Sequence, residues 1–418
     1  MVDADKPVVD ADHSPATLVD LLRWRVNTSP EKLAYAFLED GETETARVTY
    51  AELDRQARAT AAWLQGLGAA GERALLLYPP GLDFIANYFG CLYAGVVAVP
   101  AYPPRLNRPV PRIQAIVEDS EAAFALTTTA ILEDIEQRFE QAPELQALRW
   151  LNTEAPPSGI EETWQEPGIG PDTLAFLQYT SGSTSTPKGV QVSHGNLISN
   201  LAMIQFGMRI DPTGSGVFWL PSYHDMGLIG GILEPMYING PSVVMPPAAF
   251  LQRPARWLQM ISDYRGTITG APNFAYDLCV DRVTEEQKET LDLSCLETVF
   301  TGAEPIRRET LERFAEAFEP CGFRRSAFYP CYGLAEGTLL VAGGHGAAEP
   351  RYLTVKRSGL RANRAVLTSE DDEDAQTLVS CGSSLLDERL AIVEPESHAE
   401  LPDGQVGEIW VSGPNVAK

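Results

Sequence analysis

Short, uncharged, strand-like runs recur along this chain, separated by segments long enough for helices, and no other feature restricts the fold so strongly. Ala74 to Tyr78 is a continuous apolar run, the pattern of a strand buried on both faces in a parallel sheet. Before it, Thr49 and Glu52 form a T-x-x-E capping box ahead of Leu53, Ala57, Ala61 and Leu64, which share one helical face, and Gly66 and Gly68 stop that helix. After it, Phe84 to Tyr102 is uncharged for 19 residues, close to the length of a membrane span. Asn87, Gly90, Gly95 and Pro100 interrupt the stretch, which reads as a helix ending near Gly95 and a strand from Val96 to Val99, not as a span. A helix near Ile113 to Asp119 and a strand at Ala123 to Thr127 continue the βαβ series.

The same rhythm returns with strands expected near Leu174 to Gln178, Val217 to Leu220, Ser242 to Val244, Thr267 to Ile268, Thr298 to Phe300 and Ser326 to Tyr329, and a helix over Arg308 to Phe318. Past residue 376 it gives way to short strand-like runs (Thr377 to Val379, Arg389 to Val393, Glu408 to Val411) separated by turn residues. A chain of 418 residues exceeds what one core fills. The expected fold is α/β: two doubly wound βαβ sub-domains, approximately 15–173 and 174–342, and a small β-barrel-like sub-domain over 377–418. The acidic run Glu370 to Asp374 reads as a solvated loop.

Hydrophobic residues make up 44% of the chain and charged residues 21%, which excludes disordered and collagen-like classes. A net charge of −25 argues against a nucleic-acid partner, because phosphate backbones are held by clustered Lys and Arg. The N-terminal residues are acidic and lack the basic-then-apolar order of a secretory signal. The six cysteines show no CxxC pair and no His at metal-ligand spacing, so reduced thiols in a cytoplasmic protein are expected.

The most informative segment is YTSGSTSTPKGV, Tyr179 to Val190, which follows an expected strand. Glycine lets backbone N–H groups turn toward an anion, the hydroxyls of Thr180, Ser181, Ser183 and Thr184 add donors around Gly182, and Lys188 supplies a mobile positive charge. The loop suits a polyphosphate. It is not a Walker A loop, since Pro187 stands where the second Gly is required and Gly189 where the magnesium-binding hydroxyl is required. A flexible Ser/Thr/Gly linker would share this composition, but it accounts less well for a Lys flanked by strand-like runs.

This loop resembles the phosphate-binding signature of the adenylate-forming superfamily of acyl-CoA synthetases, luciferases and peptide-synthetase adenylation domains. Further matches follow in order. TGAEP, Thr301 to Pro305, is similar to the segment whose backbone lies along adenine, which assigns Gly302, Ala303 and Glu304 to the nucleotide. YGLAEGT, Tyr332 to Thr338, resembles the motif in which Tyr332 stacks on adenine, Glu336 binds magnesium, and the backbone of Gly333, Leu334 and Ala335 faces the α-phosphate. GEIWVSGPNVAK, Gly407 to Lys418, resembles the strand pair before the family's ribose-binding aspartate.

Within the superfamily, Leu75 to Arg105, PSYHDMGLIGG (Pro221 to Gly231) and Ala335 resemble the fatty acyl-AMP ligases. Ala335 replaces a Thr that donates to the phosphate in the wider superfamily, which leaves that contact to backbone N–H groups or to Thr338. The resemblance places His224 beside the acyl carboxylate in a positioning or electrostatic role, with Met226, Gly227 and Gly333 at the substrate. Met226, Leu228 and Ile229 otherwise read as tunnel wall or core. The long stretch from Gly343 to Gln376 matches the place of the insertion that marks acyl-AMP ligases.

The resemblance thus implies an enzyme of lipid or polyketide biosynthesis. With ATP and Mg2+ it would activate a long-chain fatty acid as acyl-AMP, release pyrophosphate, and pass the acyl group to the phosphopantetheine thiol of an acyl carrier protein. A carboxylate is already a nucleophile, so the chemistry asks for alignment and charge stabilisation, not for a general base. It also implies that the small C-terminal domain with the adenylation lysine is absent, so that the fragment is slow. A long-chain acyl-CoA synthetase and a non-catalytic acyl or nucleotide binding module remain as alternatives.

Overall fold

The computed structural model describes residues 15–103, 111–137, 139, 142–180, 187–344, 346 and 348–418. The first half of the chain carries strands β1 (Leu33–Leu38), β2 (Glu44–Thr49), β3 (Arg73–Leu77), β4 (Val97–Pro100), β5 (Phe124–Thr127), β6 (Arg149–Asn152), β7 (Leu174–Tyr179) and β8 (Gly189–Ser193). Strands β9 (Gly216–Phe218), β10 (Ser242–Val244), β11 (Ile268–Pro272), β12 (Thr298–Gly302), β13 (Phe328–Gly333) and β14 (Leu340–Gly343) follow. They form two sheets, β6-β5-β3-β4-β7-β8 and β14-β13-β12-β11-β9-β10-β1-β2. Pairing is antiparallel only at β1–β2, β7–β8 and β13–β14, each at a sheet edge.

The sheets do not follow the division expected at residue 173. β1 and β2 join the later strands, with Ala36 opposite Val243, while β7 and β8 complete the earlier sheet. An apolar run announces a strand but not its neighbour, which tertiary packing selects.

Side-chain alternation explains why the strands read as unbroken apolar runs. Ala74 and Leu76 pack into a core shared by both sheets, with Tyr35, Phe176 and Phe218, whereas Leu75 and Leu77 pack on the opposite face with Ile113 and Val117. A further core, built on Trp219, Trp257 and Phe314, covers the outer face of the larger sheet. The helix Tyr50–Gly66 starts at the reciprocal Thr49–Glu52 capping box, and the helix Leu82–Ala94 ends at Gly95 with φ 69°. Among the described residues no helix is long and apolar enough to cross a membrane.

Beyond residue 350 two antiparallel pairs appear, β15 (Tyr352–Lys356) with β16 (Ala375–Val379) and β17 (Arg389–Val393) with β18 (Glu408–Ser412). The boundary expected at 376/377 therefore falls inside a strand. The Tyr352 ring lies under the guanidinium groups of Arg308 and Arg325, at 5.0 and 5.5 Å, and docks this region on the helix Arg308–Phe318.

A buried histidine ties the N-terminal helix to the rest. His194 opens the helix His194–Met208, is 1% exposed, and accepts the Leu18 N–H at Nδ1, 3.3 Å away. Burial lowers its pKa from 6.5 to about 4, so the folded chain binds fewer protons than the unfolded chain between those values. Stability from this group is complete above 6.5 and is lost as the pH falls toward 4, a contribution of about 3 kcal/mol. Urea unfolding across that window should show the loss, and His194→Asn, which keeps an acceptor and cannot titrate, should flatten it; an unchanged slope in the variant would refute the assignment.

Candidate active site

The carboxyl ends of β12 and β13 and the loop after β9 meet at a cavity of about 190 Å³, lined by His224, Met226, Gly302, Ala303, Tyr332 and Gly333 among others. This is the edge at which parallel α/β sheets bind ligands. The smaller sheet reaches it through Gln178, whose Nε2 donates to the Tyr223 carbonyl at 3.2 Å.

The Ser/Thr/Gly loop is the turn of the β7–β8 hairpin, since Tyr179 pairs with Gly189. Ser181, Gly182, Ser183 and Thr184 lie outside the described residues. Their flanks are tied by one carboxylate: Asp119 Oδ2 accepts the Tyr179 hydroxyl at 2.6 Å and the Gly189 N–H at 3.2 Å. Sequence reasoning passed over Asp119, which looks like an ordinary polar position on an amphipathic helix. The Thr180 carbonyl accepts from Arg112 at 3.2 Å, and Lys188 is exposed.

Of the expected adenine segment, Gly302 and Ala303 line the cavity, with Ala303 at φ 68°. The Glu304 carboxylate accepts the Phe274 N–H at 2.8 Å at the start of the helix Asn273–Arg282, which leaves its backbone as the part that can lie along a nucleotide. In the next motif Tyr332 and Gly333 end β13 in the cavity wall, and a Cβ on Gly333 would stand 2.0 Å from the Leu339 carbonyl oxygen. Leu334 is half-buried and its N–H bonds that same carbonyl at 3.1 Å, which closes the loop around the buried Ala335. The Thr338 hydroxyl is buried and donates to the Asn415 carbonyl at 2.5 Å.

Glu336 is exposed on the turn Ala335–Gly337. Among the described residues no group of three His, Cys, Asp or Glu side chains is arranged to hold a metal. A lone carboxylate suits magnesium, which keeps waters and takes phosphate oxygens as its other ligands.

His224 Nδ1 lies 2.6 Å from Asp225 Oδ1, and that hydrogen bond holds the imidazole pKa above 6.5 despite partial burial. Asp225 also accepts the Met226 N–H at 2.6 Å and caps the π-helix Met226–Leu233. The π-turn frees carbonyls, and the Ser242 and Tyr35 hydroxyls take those of Gly231 and Ile232 at 2.7 and 2.9 Å. Met226 faces the cavity, while Leu228 and Ile229 are core. At Gly227 a Cβ would meet the Pro221 carbonyl oxygen at 2.1 Å, so the glycine permits close packing next to Met226.

Among the lining residues that the motifs did not point to, one is acidic and buried. Glu234, 2% exposed, reaches the cavity wall just after the π-helix, and the available signal was an acid alone in the run Met226 to Met236. Such residues are seldom buried without a partner.

Sheets ending on this cavity, with Gly302, Ala303, Tyr332 and Gly333 in its wall, define an adenylate-forming enzyme. The chain belongs to the AMP-binding enzyme family, whose model matches residues 22–418. Within that family its relatives are acyl-adenylate and acyl-carrier-protein ligases. It is 46% identical over 408 residues to the medium-chain-fatty-acid–acyl-carrier-protein ligase JamA of Moorena producens, covering 96% of this chain and 69% of that protein. It is 42% identical over 405 residues to the long-chain-fatty-acid–AMP ligase FadD32 of Mycolicibacterium smegmatis, covering 94% and 64%. The fatty acyl-adenylate ligase of L. pneumophila, solved with acyl adenylate and pyrophosphate, superposes with a TM-score of 0.91 at 43% identity, over 96% of this chain and 69% of that one. The chain thus spans about two thirds of the length of these proteins.

A raised histidine pKa makes the imidazolium the dominant form to higher pH, and its contribution is lost as the pH rises through the folded value. Asp225→Asn should therefore lower the His224 midpoint in an NMR titration and move the loss of fatty-acid affinity to lower pH. A midpoint indifferent to Asp225 would show that the pair does not set it.

Proposed function

We propose that this chain binds ATP and a fatty acid and brings them together as acyl-AMP. The observation that carries this reading is the polarity of the cavity: Ile204, Met208, Ile268 and Phe300 form one apolar wall, while His224 and the strand ends at Gly302–Ala303 and Tyr332–Gly333 supply polar groups. An aliphatic tail and a carboxylate fit those two environments together.

In the reaction, a carboxylate oxygen bonds to the α-phosphorus of ATP as the bond from that phosphorus to the pyrophosphate oxygen breaks; no proton moves. His224, whose charged form is favoured by its hydrogen bond to Asp225, orients the carboxylate. The backbone of Gly333 to Ala335, apart from the Leu334 N–H that bonds Leu339, faces the developing α-phosphate charge, Tyr332 stacks on adenine, and the loop between Thr180 and Lys188 takes the leaving phosphates. Magnesium, when bound, offsets phosphate charge, and Glu336 is the residue that would hold it. The names of the relatives support an acyl carrier protein as acceptor, its phosphopantetheine thiol attacking the acyl carbonyl with AMP leaving. A cytoplasmic setting, where ATP is supplied, goes with this reading. The segment 343–376, docked through Tyr352 and the buried Val355, is our candidate for the acyl-AMP ligase insertion; Leu353 is exposed and adds no anchor.

Dodecanoyl sulfamoyl adenosine, a stable acyl-AMP mimic, should bind the chain and, at a hundredfold excess over Kd, stabilise it by about 2.7 kcal/mol, a rise of several degrees in Tm. Glu336→Gln should leave that binding intact but abolish the strengthening of ATP binding by magnesium, about tenfold or ~1.4 kcal/mol. Failure of the mimic to bind would sink the proposal, and acyl-coenzyme A as the product of turnover would move the protein to the synthetase class.

A further inference from the structure

Glu234 has no place in the chemistry above, yet it lies in the wall of the same cavity. It is 2% exposed, and among the described residues neither carboxylate oxygen has a hydrogen-bond partner. Its neighbours in that wall include Met208, Ile210, Gly230 and Ile268, none of which offers a side-chain donor or acceptor. Burial raises its pKa well above 4.5, so the group is a neutral acid with one O–H to donate and one carbonyl to accept.

An apolar tail can satisfy neither function. A plain fatty chain laid against this wall would leave both oxygens dry and unbonded, the arrangement that buried polar groups avoid. Glu234 follows the π-helix Met226–Leu233, which rises less per residue than an α-helix, so it lies at most roughly 12 Å beyond Met226 along that run. An extended acyl chain covers such a distance in at most about ten carbons.

We propose that Glu234 is a specificity-determining residue that selects acyl chains bearing a hydroxyl or carbonyl oxygen within about ten carbons of the carboxyl end. The inference rests on the adenylate reading and names its substrate class. The same group also sets the depth at which a wholly apolar tail ceases to be welcome.

The test uses the chain as it stands and acyl sulfamoyl adenosines from octanoyl to hexadecanoyl, each made plain and with a terminal hydroxyl. Calorimetry should show the hydroxylated ligand binding about tenfold or more tightly than its plain counterpart at one length up to decanoyl, with the preference fading at shorter and longer lengths. Glu234→Leu should invert the preference, tightening the plain ligands and weakening the hydroxylated one. Glu234→Gln, which retains a donor and an acceptor, should keep its direction, and it decides the matter if the Leu variant does not fold. Plain ligands that bind as well as hydroxylated ones at every length, or a ratio untouched by either substitution, would overturn the proposal and leave the adenylate reading standing. Binding of neither series would overturn that reading and this proposal with it.

Discussion

One buried amide holds the nucleotide side of the site in shape. Asn200, fully buried on the helix His194–Met208, donates to the carbonyls of Leu340 and Gly337 at 2.7 and 3.4 Å and accepts the Leu340 N–H at 3.0 Å. Between Gly333 and Leu340 the chain leaves one strand, turns, and enters another, so several of its backbone groups have no sheet partner. Each left unpaired in the interior would cost about 1–3 kcal/mol. One turn earlier on the same helix, Asn196 donates to the carbonyls of Pro414 and Val416 at 2.8 and 2.9 Å. A single helix therefore fixes the Tyr332–Thr338 loop and the last described residues relative to each other, and Thr338 closes the triangle by bonding Asn415.

Charge poses the opposite problem. Both proposed substrates are anions, and the chain carries a net charge of −25. Long-range attraction cannot be the means of capture, since fields are screened over about 8 Å at physiological salt and the far field here is repulsive. What remains is local: N–H groups at strand ends, hydroxyls in a hairpin turn, and a few placed cations. The Asp225 carboxylate shows how the acidic composition is put to use, because it both caps the π-helix and favours the charged form of His224. Asp119 does the equivalent for the hairpin by joining its two stems.

Sequence reading succeeded where a rule is local. Capping boxes, apolar runs and the glycine that ends a helix depend on residues a few positions apart, and the helix Arg308–Phe318 and the strand Arg389–Val393 fall where expected. It failed where a partner lies far along the chain. Leu33–Leu38 is as apolar as any strand, but its pairing with Ser242–Val244 spans some two hundred residues and leaves no trace in either segment. The motif residues divide in the same way: Tyr332, Gly302 and His224 do line one cavity, whereas Glu304 and Thr338 carry side chains that the fold spends on Phe274 and Asn415. A motif fixes where the backbone goes and says less about which side chains remain free.

Three departures from local preference lie at or beside this cavity. Ala303 has φ 68°, and Thr338, β-branched and therefore ill suited to positive φ, has φ 70°. Conformations of this kind cost about 1–3 kcal/mol each and persist only where surrounding contacts over-determine them. The contacts are present: β12 is held between β11 and β13, and the hydroxyl of Thr338 is locked to Asn415. The π-helix adds a third departure, sustained by hydroxyls from Tyr35 and Ser242 on β1 and β10. In each case a regular strand or helix absorbs the cost of an irregular neighbour. The two strands least expected from the earlier part of the chain, β1 and β2, thus have a structural consequence for the site: by joining the larger sheet they bring Tyr35 under the π-helix, and with it the wall on which Glu234 stands.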